Sequence, residues 1–240
     1  LVIVGTGLAG YNLAKEFRKL DNQRPMLLVS ADDGRFYSKP LLSTGFAKGK
    51  EADELAMQDA AAMAAQIGAE VLTGVPVSAI NPAERTLTLG DREQAYSDLV
   101  LALGAEVRAL PWREQLGERL LSINDLTDYG RFRAALAGRK KVLIIGAGLI
   151  GCEFANDLSL GGFEVTVVAT DPWLMPQLLP EPVAAAVQRR LEALGVTFHL
   201  GCGIRELAAS DDALLALLSG SAAVSSGWFG YLRVPAVFPW

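Results

Sequence analysis

The hydrophobic positions of the first hundred residues fall into short runs that alternate with helical patterns. Residues 1–4 are entirely apolar, a glycine-rich turn follows, a helical pattern continues to about residue 20, and residues 25–30 form a second run. Short apolar runs between turn signals indicate buried strands, whereas apolar positions spaced by three and four indicate a helix. This order predicts a βαβ unit. We expect a further helix over 54–67 and strands over 70–73, 85–89 and 99–103.

The same pattern starts again about one domain length later. Residues 141–145 form an apolar strand, a second glycine-rich turn opens a helix to about residue 160, and a strand follows over 164–168. A helix over 182–194 and a strand over 196–200 come next. Two such units predict an α/β protein with two doubly wound, Rossmann-like nucleotide-binding domains on parallel sheets. We predict these domains at residues 1–110 and 111–212.

The end of the chain departs from this pattern. From residue 213 to residue 240 the only charged residue is Arg233, and five aromatic residues stand among small residues without a clear period. Two explanations are open for this stretch. It is either an atypical tail that does not belong to the fold or a pair of buried strands.

Composition and charge narrow the class of protein. Half of the 240 residues are hydrophobic, and the formal net charge of −5 leaves no basic stripe with which to bind nucleic acid. No apolar stretch has the length of a membrane span, so we expect no membrane insertion. Residues 1–4 lack the charged region and cleavage site of a signal peptide and are interpreted as a core strand. With only two cysteines, a cytoplasmic location fits best.

Each glycine-rich turn has the G-x-G-x-x-G spacing and lies between an apolar strand and a helix. In the first turn Gly5 permits a tight bend, Gly7 lets a pyrophosphate approach the backbone, and Gly10 lets helix and strand pack closely. The phosphates would then accept hydrogen bonds from free N–H groups at the helix N-terminus. The second turn repeats these positions at Gly146, Gly148 and Gly151. The alternative is a pair of glycine turns that serve only packing.

An acidic residue after the second strand of such a unit binds the ribose hydroxyls of the nucleotide. In the first unit Asp32 and Asp33 are the candidates, and their alternative role is in a turn beside a glycine. In the second unit Ala169 occupies the strand end, so this role is weaker or passes to Asp171. No Lys or Arg lies between residues 163 and 182, which favours NADH over NADPH.

Three further residues have candidate roles in chemistry. Glu153 lies in the first turn of the second glycine-turn helix, where it either complements the helix dipole or faces a nicotinamide. Cys152 is expected to be a small core residue, because the other cysteine, Cys202, follows a different strand. The single histidine, His199, is expected to be an ordinary strand residue.

Several runs of sequence are more specific than the glycines. With its two dinucleotide units, the chain resembles the FAD-dependent pyridine-nucleotide oxidoreductases, and within them the bacterial rubredoxin reductases, over roughly residues 1–207. The runs that carry this resemblance are LVIVGTGLAGYN (1–12), ADDGRFYSKPLLSTGF (31–46), DLVLALGAE (98–106), residues 123–133 and VLIIGAGLIGCEFANDL (142–158).

The resemblance implies a role for each matching residue. The ADP half of FAD would be held by Gly5, Gly7, Gly10 and Asp32. Lys39 and Pro40 would lie along the flavin, Val77 beside the adenine, and Gly104 near FAD in a stretch where relatives usually have Ala-Thr-Gly. The NADH site would comprise Gly146, Gly148, Gly151 and Glu153. The family also has a second FAD motif, a Gly-Asp after the NADH domain, which this sequence lacks. We therefore expect an incomplete FAD domain.

The function that the resemblance implies is electron transfer from NADH through FAD to rubredoxin. A thiol-disulfide reductase would need a Cys-x4-Cys near the flavin, and residues 36–50 contain no cysteine. A ferredoxin reductase serving an oxygenase and an inactive nucleotide-binding fragment remain alternatives. Docking of rubredoxin is expected to use exposed cations near the flavin, with Arg35, Lys39, Lys48 and Lys50 as candidates.

Overall fold

The computed structural model describes residues 1–107, 111–209, 214–220, 231–234 and 237–239. The chain divides into two compact units. The first comprises Leu1–Lys39 and Asp53–Glu106, and the second comprises Pro40–Ala52 and Val107–Trp240. The predicted boundary at residue 110 lies outside the described residues. The segment Pro40–Ala52 belongs to the second unit, although the residues on either side of it in sequence belong to the first.

A parallel sheet forms the centre of the first unit. In chain order, the elements up to residue 106 are β1 (Val2–Val4), α1 (Leu8–Leu20), β2 (Leu27–Val29), a 3-10 turn (Lys39–Ser43), α2 (Ala52–Leu55), α3 (Ala60–Ile67), β3 (Glu70–Leu72), β4 (Val77–Asn81), β5 (Thr86–Leu89), β6 (Arg92–Ala95) and β7 (Leu99–Leu101). Strands β3, β2, β1 and β7 lie side by side in that order, all parallel. Strands β4, β5 and β6 form a separate antiparallel sheet.

Apolar packing holds the helices of the first unit to its sheet. Tyr11 on α1 is fully buried and meets the ring of Phe36 edge to face. At the other end of α1, the Arg18 guanidinium donates to the carbonyl oxygens of Ile67 and Gly68, which end α3. These contacts tie α1 and α3 together at the amino-terminal edge of the sheet.

The second unit repeats the arrangement of the first. Its elements are α4 (Arg113–Leu116), a 3-10 turn (Gly117–Arg119), α5 (Leu126–Leu136), β8 (Lys141–Ile145), α6 (Leu149–Leu160), β9 (Glu164–Val168), α7 (Glu181–Glu192), β10 (Thr197–His199), β11 (Cys202–Ala209), β12 (Leu214–Gly220), β13 (Tyr231–Val234) and β14 (Val237–Pro239). Strands β10, β9, β8 and β14 form a parallel sheet, and β11, β12 and β13 form an antiparallel one. The prediction of an α/β fold with parallel sheets is confirmed.

The structure corrects one prediction about local structure, the helix over 54–67, and shows strands in the described ranges of the stretch 213–240. The single helix predicted over 54–67 is wrong in its middle, because Phe36 pairs with Gln58 and the Asp59 side chain caps a new helix by accepting the Ala62 N–H at 2.7 Å. In the stretch 213–240, the described ranges are strands: β12 pairs with β11 and β13 in the antiparallel sheet, and β14 pairs with β8 in the parallel sheet. Residues 213, 221–230, 235–236 and 240 lie outside the described part of the chain.

Candidate functional site

The first glycine turn has the backbone geometry of a dinucleotide loop. Gly5 has a φ of 110°, and a Cβ added at Gly10 would lie 1.9 Å from the Gly5 carbonyl oxygen, so neither position tolerates a side chain. Gly7 differs, because a Cβ there would meet no protein atom within 4 Å. It is exposed and immediately precedes α1, so its open side faces the space that a phosphate would occupy.

Asp32 lies beside this turn and is held from one side only. Its Oδ1 accepts hydrogen bonds from the Ser30 hydroxyl at 2.6 Å, the Gly34 N–H at 2.9 Å and the Thr6 hydroxyl at 3.2 Å. No described residue donates to Oδ2, so the fixed carboxylate can accept a ribose hydroxyl. Asp33 instead pairs with Arg35 at 2.7 Å. Of the two candidates, Asp32 is the one whose geometry suits a ribose.

The other residues assigned to FAD differ in their surroundings. Lys39 and Pro40 are exposed and begin the 3-10 turn. Gly104 has a φ of 72° and open space around it, and it follows two exposed leucines, Leu101 and Leu103. Val77 is half-buried and packs against the hydrophobic cluster of β1, β2 and β5.

The second glycine turn has the same geometry as the first. Gly146 has a φ of 110°, and a Cβ at Gly151 would lie 2.3 Å from its carbonyl oxygen. Gly148 is exposed with no protein atom within 4 Å of an added Cβ, and it immediately precedes α6. Leu149 and Ile150, the first residues of that helix, are also exposed. The turn therefore has the same open side at the start of its helix.

The segment after β9 folds back onto this second turn. Met175 donates its N–H to the Ala147 carbonyl oxygen at 2.9 Å and has a φ of 50°, a left-handed conformation that is uncommon for a residue with a side chain. Ala169 is buried, whereas Asp171 is exposed. The sequence pattern did not identify Met175, because a positive φ at a non-glycine residue leaves no signal in composition.

Glu153 contacts a residue of the segment Pro40–Ala52. The Ser43 hydroxyl lies 2.6 Å from Glu153 Oε2, and Ser43 is only 3% exposed. One turn further along α6, the buried Asp157 carboxylate accepts two backbone N–H groups, from Phe46 at 2.8 Å and from Ala47 at 3.0 Å. Burial raises the pKa of the Asp157 carboxyl, and these two donors oppose the rise. Two acidic residues of α6 thus hold one segment.

Aromatic and ionic contacts complete this attachment. The Phe46 ring meets Phe132 of α5 and Phe163 edge to face, with ring centroids 5.5 and 5.1 Å away. The Arg133 guanidinium lies 4.5 Å above the same ring and pairs with Glu51 at 2.6 Å. The segment Pro40–Ala52 is therefore packed into the second unit along most of its length.

Comparison with known proteins agrees with this geometry. The sequence profile of the pyridine nucleotide-disulphide oxidoreductases matches residues 1–225. The chain belongs to this family. It is 53% identical over 201 residues to a rubredoxin-NAD(+) reductase of Alcanivorax borkumensis, which covers 84% of the chain and 53% of that protein. A nitric oxide reductase FlRd-NAD(+) reductase of Klebsiella pneumoniae is 34% identical, covering 94% of the chain and 59% of the relative.

Solved structures of the family have the same fold. In the covalent complex of putidaredoxin reductase with putidaredoxin, the matched chain has a TM-score of 0.85 at 27% identity, over 99% of this chain and 57% of that one. A ferredoxin reductase from Rhodopseudomonas palustris matches with a TM-score of 0.86 at 25% identity, over 100% of this chain and 58% of that one. The chain spans about half the length of the curated relatives that it matches.

The cysteines of this family member are both free. Burial raises the pKa of the Cys152 thiol to about 11, with a smaller contribution from the Glu153 charge. Its Sγ lies 3.5 Å from the Ala147 carbonyl oxygen, under the glycine turn, as a core residue would. Cys202 is half-buried at the start of β11. Among the described residues, no cluster of His, Cys, Asp or Glu could hold a metal ion, and no helix is both long and apolar enough to cross a membrane.

Proposed function

We propose that this chain is the nucleotide-binding part of a flavoprotein reductase that takes electrons from NADH and delivers them to rubredoxin. The observation that carries this proposal is the repetition of one geometry. Each unit has a glycine turn that is closed by protein on two sides and open at the residue preceding its helix, Gly7 or Gly148. Packing does not require glycine at these two positions, since a side chain there would meet no protein atom, so a bound group that needs the space explains the glycine in both units.

The first unit supplies the FAD site. The turn containing Gly5, Gly7 and Gly10 would bind the pyrophosphate through the N–H groups at the start of α1, and Asp32 Oδ2 would accept the ribose hydroxyls. Leu101 and Leu103, which precede Gly104, are half or more exposed and would be covered by the bound cofactor. Bound FAD supplies the redox chemistry, because it takes up a pair of electrons and releases them singly.

The second unit supplies the NADH site. The turn containing Gly146, Gly148 and Gly151 would bind the coenzyme pyrophosphate at the start of α6, with Glu153 at the nicotinamide end. The absence of Lys and Arg between residues 163 and 182 leaves no partner for a 2′-phosphate. The side chains of both units therefore bind, orient and shield the cofactors, and no acid or nucleophile of the chain is needed for the transfer.

Rubredoxin is proposed as the acceptor because the relatives at 53% and 40% identity are named for it. Of the cations considered for docking, Arg35 is already paired with Asp33 and Asp53, whereas Lys48 and Lys50 are exposed. A ferredoxin-type acceptor is the second candidate, since solved structures that share this fold at 25–27% identity are a putidaredoxin reductase and a ferredoxin reductase.

The test compares acceptors in a full-length reductase that carries this sequence. With NADH as donor, rubredoxin should be reduced efficiently, and the charge reversal Lys50→Glu should raise its KM severalfold without changing the KM for NADH. Lys140→Glu is the matched control, because Lys140 is equally exposed but immediately precedes β8, at the opposite end of that strand from the glycine turn. Efficient reduction of ferredoxin but not of rubredoxin would assign the protein to the second candidate.

A further inference from the structure

Helix α6 carries two acidic side chains, Glu153 and Asp157, at a spacing of four residues, which places them on one face of the helix. Both hold the same segment, Pro40–Ala52, but in different ways. Asp157 is buried, and each of its two oxygens accepts a backbone N–H of the segment. Glu153 is only partly buried and accepts a hydrogen bond from a side chain of the segment, the Ser43 hydroxyl.

The hydrogen bond between Ser43 and Glu153 is strong for its type. A serine hydroxyl has one proton, and its two nearby acceptors are Glu153 Oε2 at 2.6 Å and the Pro40 carbonyl oxygen at 3.1 Å. The shorter contact to a carboxylate takes the proton, because charge-assisted bonds are shorter and stronger than neutral ones. Ser43 is almost fully shielded from water, so little solvent competes for that proton.

We propose that Ser43 is a positioning residue that fixes the Glu153 carboxylate for the nicotinamide of NADH. The second oxygen of Glu153 then has a set direction and can accept an N–H of the nicotinamide carboxamide without first losing side-chain freedom. Asp157 contributes indirectly, since it holds the backbone three and four residues after Ser43 against the same helix. This inference rests on the proposed function, in which α6 begins the NADH site.

The test compares two ligands that differ only at the nicotinamide end. The dissociation constants of NADH and of ADP-ribose, which lacks the nicotinamide, are measured by calorimetry on the chain and on its Ser43→Ala variant. NADH binding should weaken about threefold to tenfold, as expected when a side chain that was fixed in advance must instead be ordered on binding, and ADP-ribose binding should not change. A serine that only supported the fold would affect both ligands alike. Thr44→Ala is the matched control, because the hydrogen bond that its hydroxyl makes within the described part of the chain goes to the Leu41 carbonyl oxygen, at 3.4 Å.

A double-mutant cycle with Glu153→Ala separates the remaining explanations. If Ser43 acts through Glu153, the serine substitution has no further effect on NADH binding once the carboxylate is gone. Additive losses, equal losses for both ligands, or no loss with Ser43→Ala would each overturn the inference. Ser43→Cys keeps the volume but donates poorly and should weaken NADH binding in the same direction. If the unsubstituted chain fails to bind NADH, the proposed function itself is refuted.

Discussion

Asp157 offers the most direct perturbation of the attachment between α6 and the segment Pro40–Ala52. Replacing it with alanine removes an acceptor from two backbone N–H groups, those of Phe46 and Ala47. A hydrogen bond to a charged group contributes about 1.5–3 kcal/mol, so the gross loss is about 3–6 kcal/mol. Burying the Asp157 carboxylate is itself unfavourable, and burial accordingly raises its pKa. Because the alanine variant buries no carboxylate, part of the lost free energy is offset. We expect a net destabilisation of about 2–4 kcal/mol.

Two measurements check this expectation. In thermal or denaturant unfolding, Asp157→Ala should lower the free energy of unfolding by that amount, and hydrogen exchange at the Phe46 and Ala47 amides should accelerate. The free energy of unfolding of Asp157→Asn should lie between those of Asp157→Ala and the unsubstituted chain. The amide keeps an oxygen for one of the two N–H groups, and its NH2 group cannot accept the other. The control is Asp59→Ala, an exposed helix cap with one N–H partner, which should lose about 1 kcal/mol. If Asp157→Ala is no more destabilising than Asp59→Ala, this interpretation of the segment is refuted.

Two further predictions concern the thiols and the coenzyme. Because the pKa of the Cys152 thiol is raised from 9.0 to about 11, its thiolate fraction at pH 8 should be about a hundredfold lower in the native chain than in denaturant. Alkylation of Cys152 should therefore be at least that much slower in the native chain, and equal rates would contradict its buried placement. The dissociation constant of NADH should be lower than that of NADPH by about tenfold or more, since residues 163–182 offer no cation to a 2′-phosphate. Competitive titration measures the ratio of the two constants, and tighter binding of NADPH would refute the prediction.

The elements that the sequence predicts well are those whose hydrophobic pattern is local. The predicted strands β1, β2, β8 and β9 lie within two residues of their observed ends, because each is a short buried run in a βαβ unit. Strands β4 and β6 were not predicted, since they lie in an antiparallel sheet with exposed positions and lack a continuous apolar run. Helix α5 was also missed as an element, although its N-cap, Asp125, accepts the Asp128 N–H in the usual way.

In the candidate site, too, some residues can be identified from their neighbours in sequence, whereas others have partners that are distant in sequence. The glycines and Asp32 could be proposed from spacing, because each would act through its own backbone or its place at a strand end. The partners of Glu153 and Asp157 could not, since Ser43, Phe46 and Ala47 precede them by about 110 residues. No local pattern indicates that the segment Pro40–Ala52, which follows the predicted flavin residue Lys39, belongs to the unit of the second glycine turn. Such a placement depends on tertiary packing around Phe46.

Gly148→Ala tests directly whether the second glycine turn is a nucleotide site. The φ of Gly148 is −71°, which any residue adopts, and an added Cβ meets no protein atom within 4 Å, so the fold should be unaffected. The same Cβ would occupy the space of the coenzyme pyrophosphate. Calorimetric titration should therefore show NADH binding weakened at least tenfold, with the unfolding midpoint unchanged. NADH binding as tight as that of the unsubstituted chain would show that the open side of the turn does not hold the coenzyme.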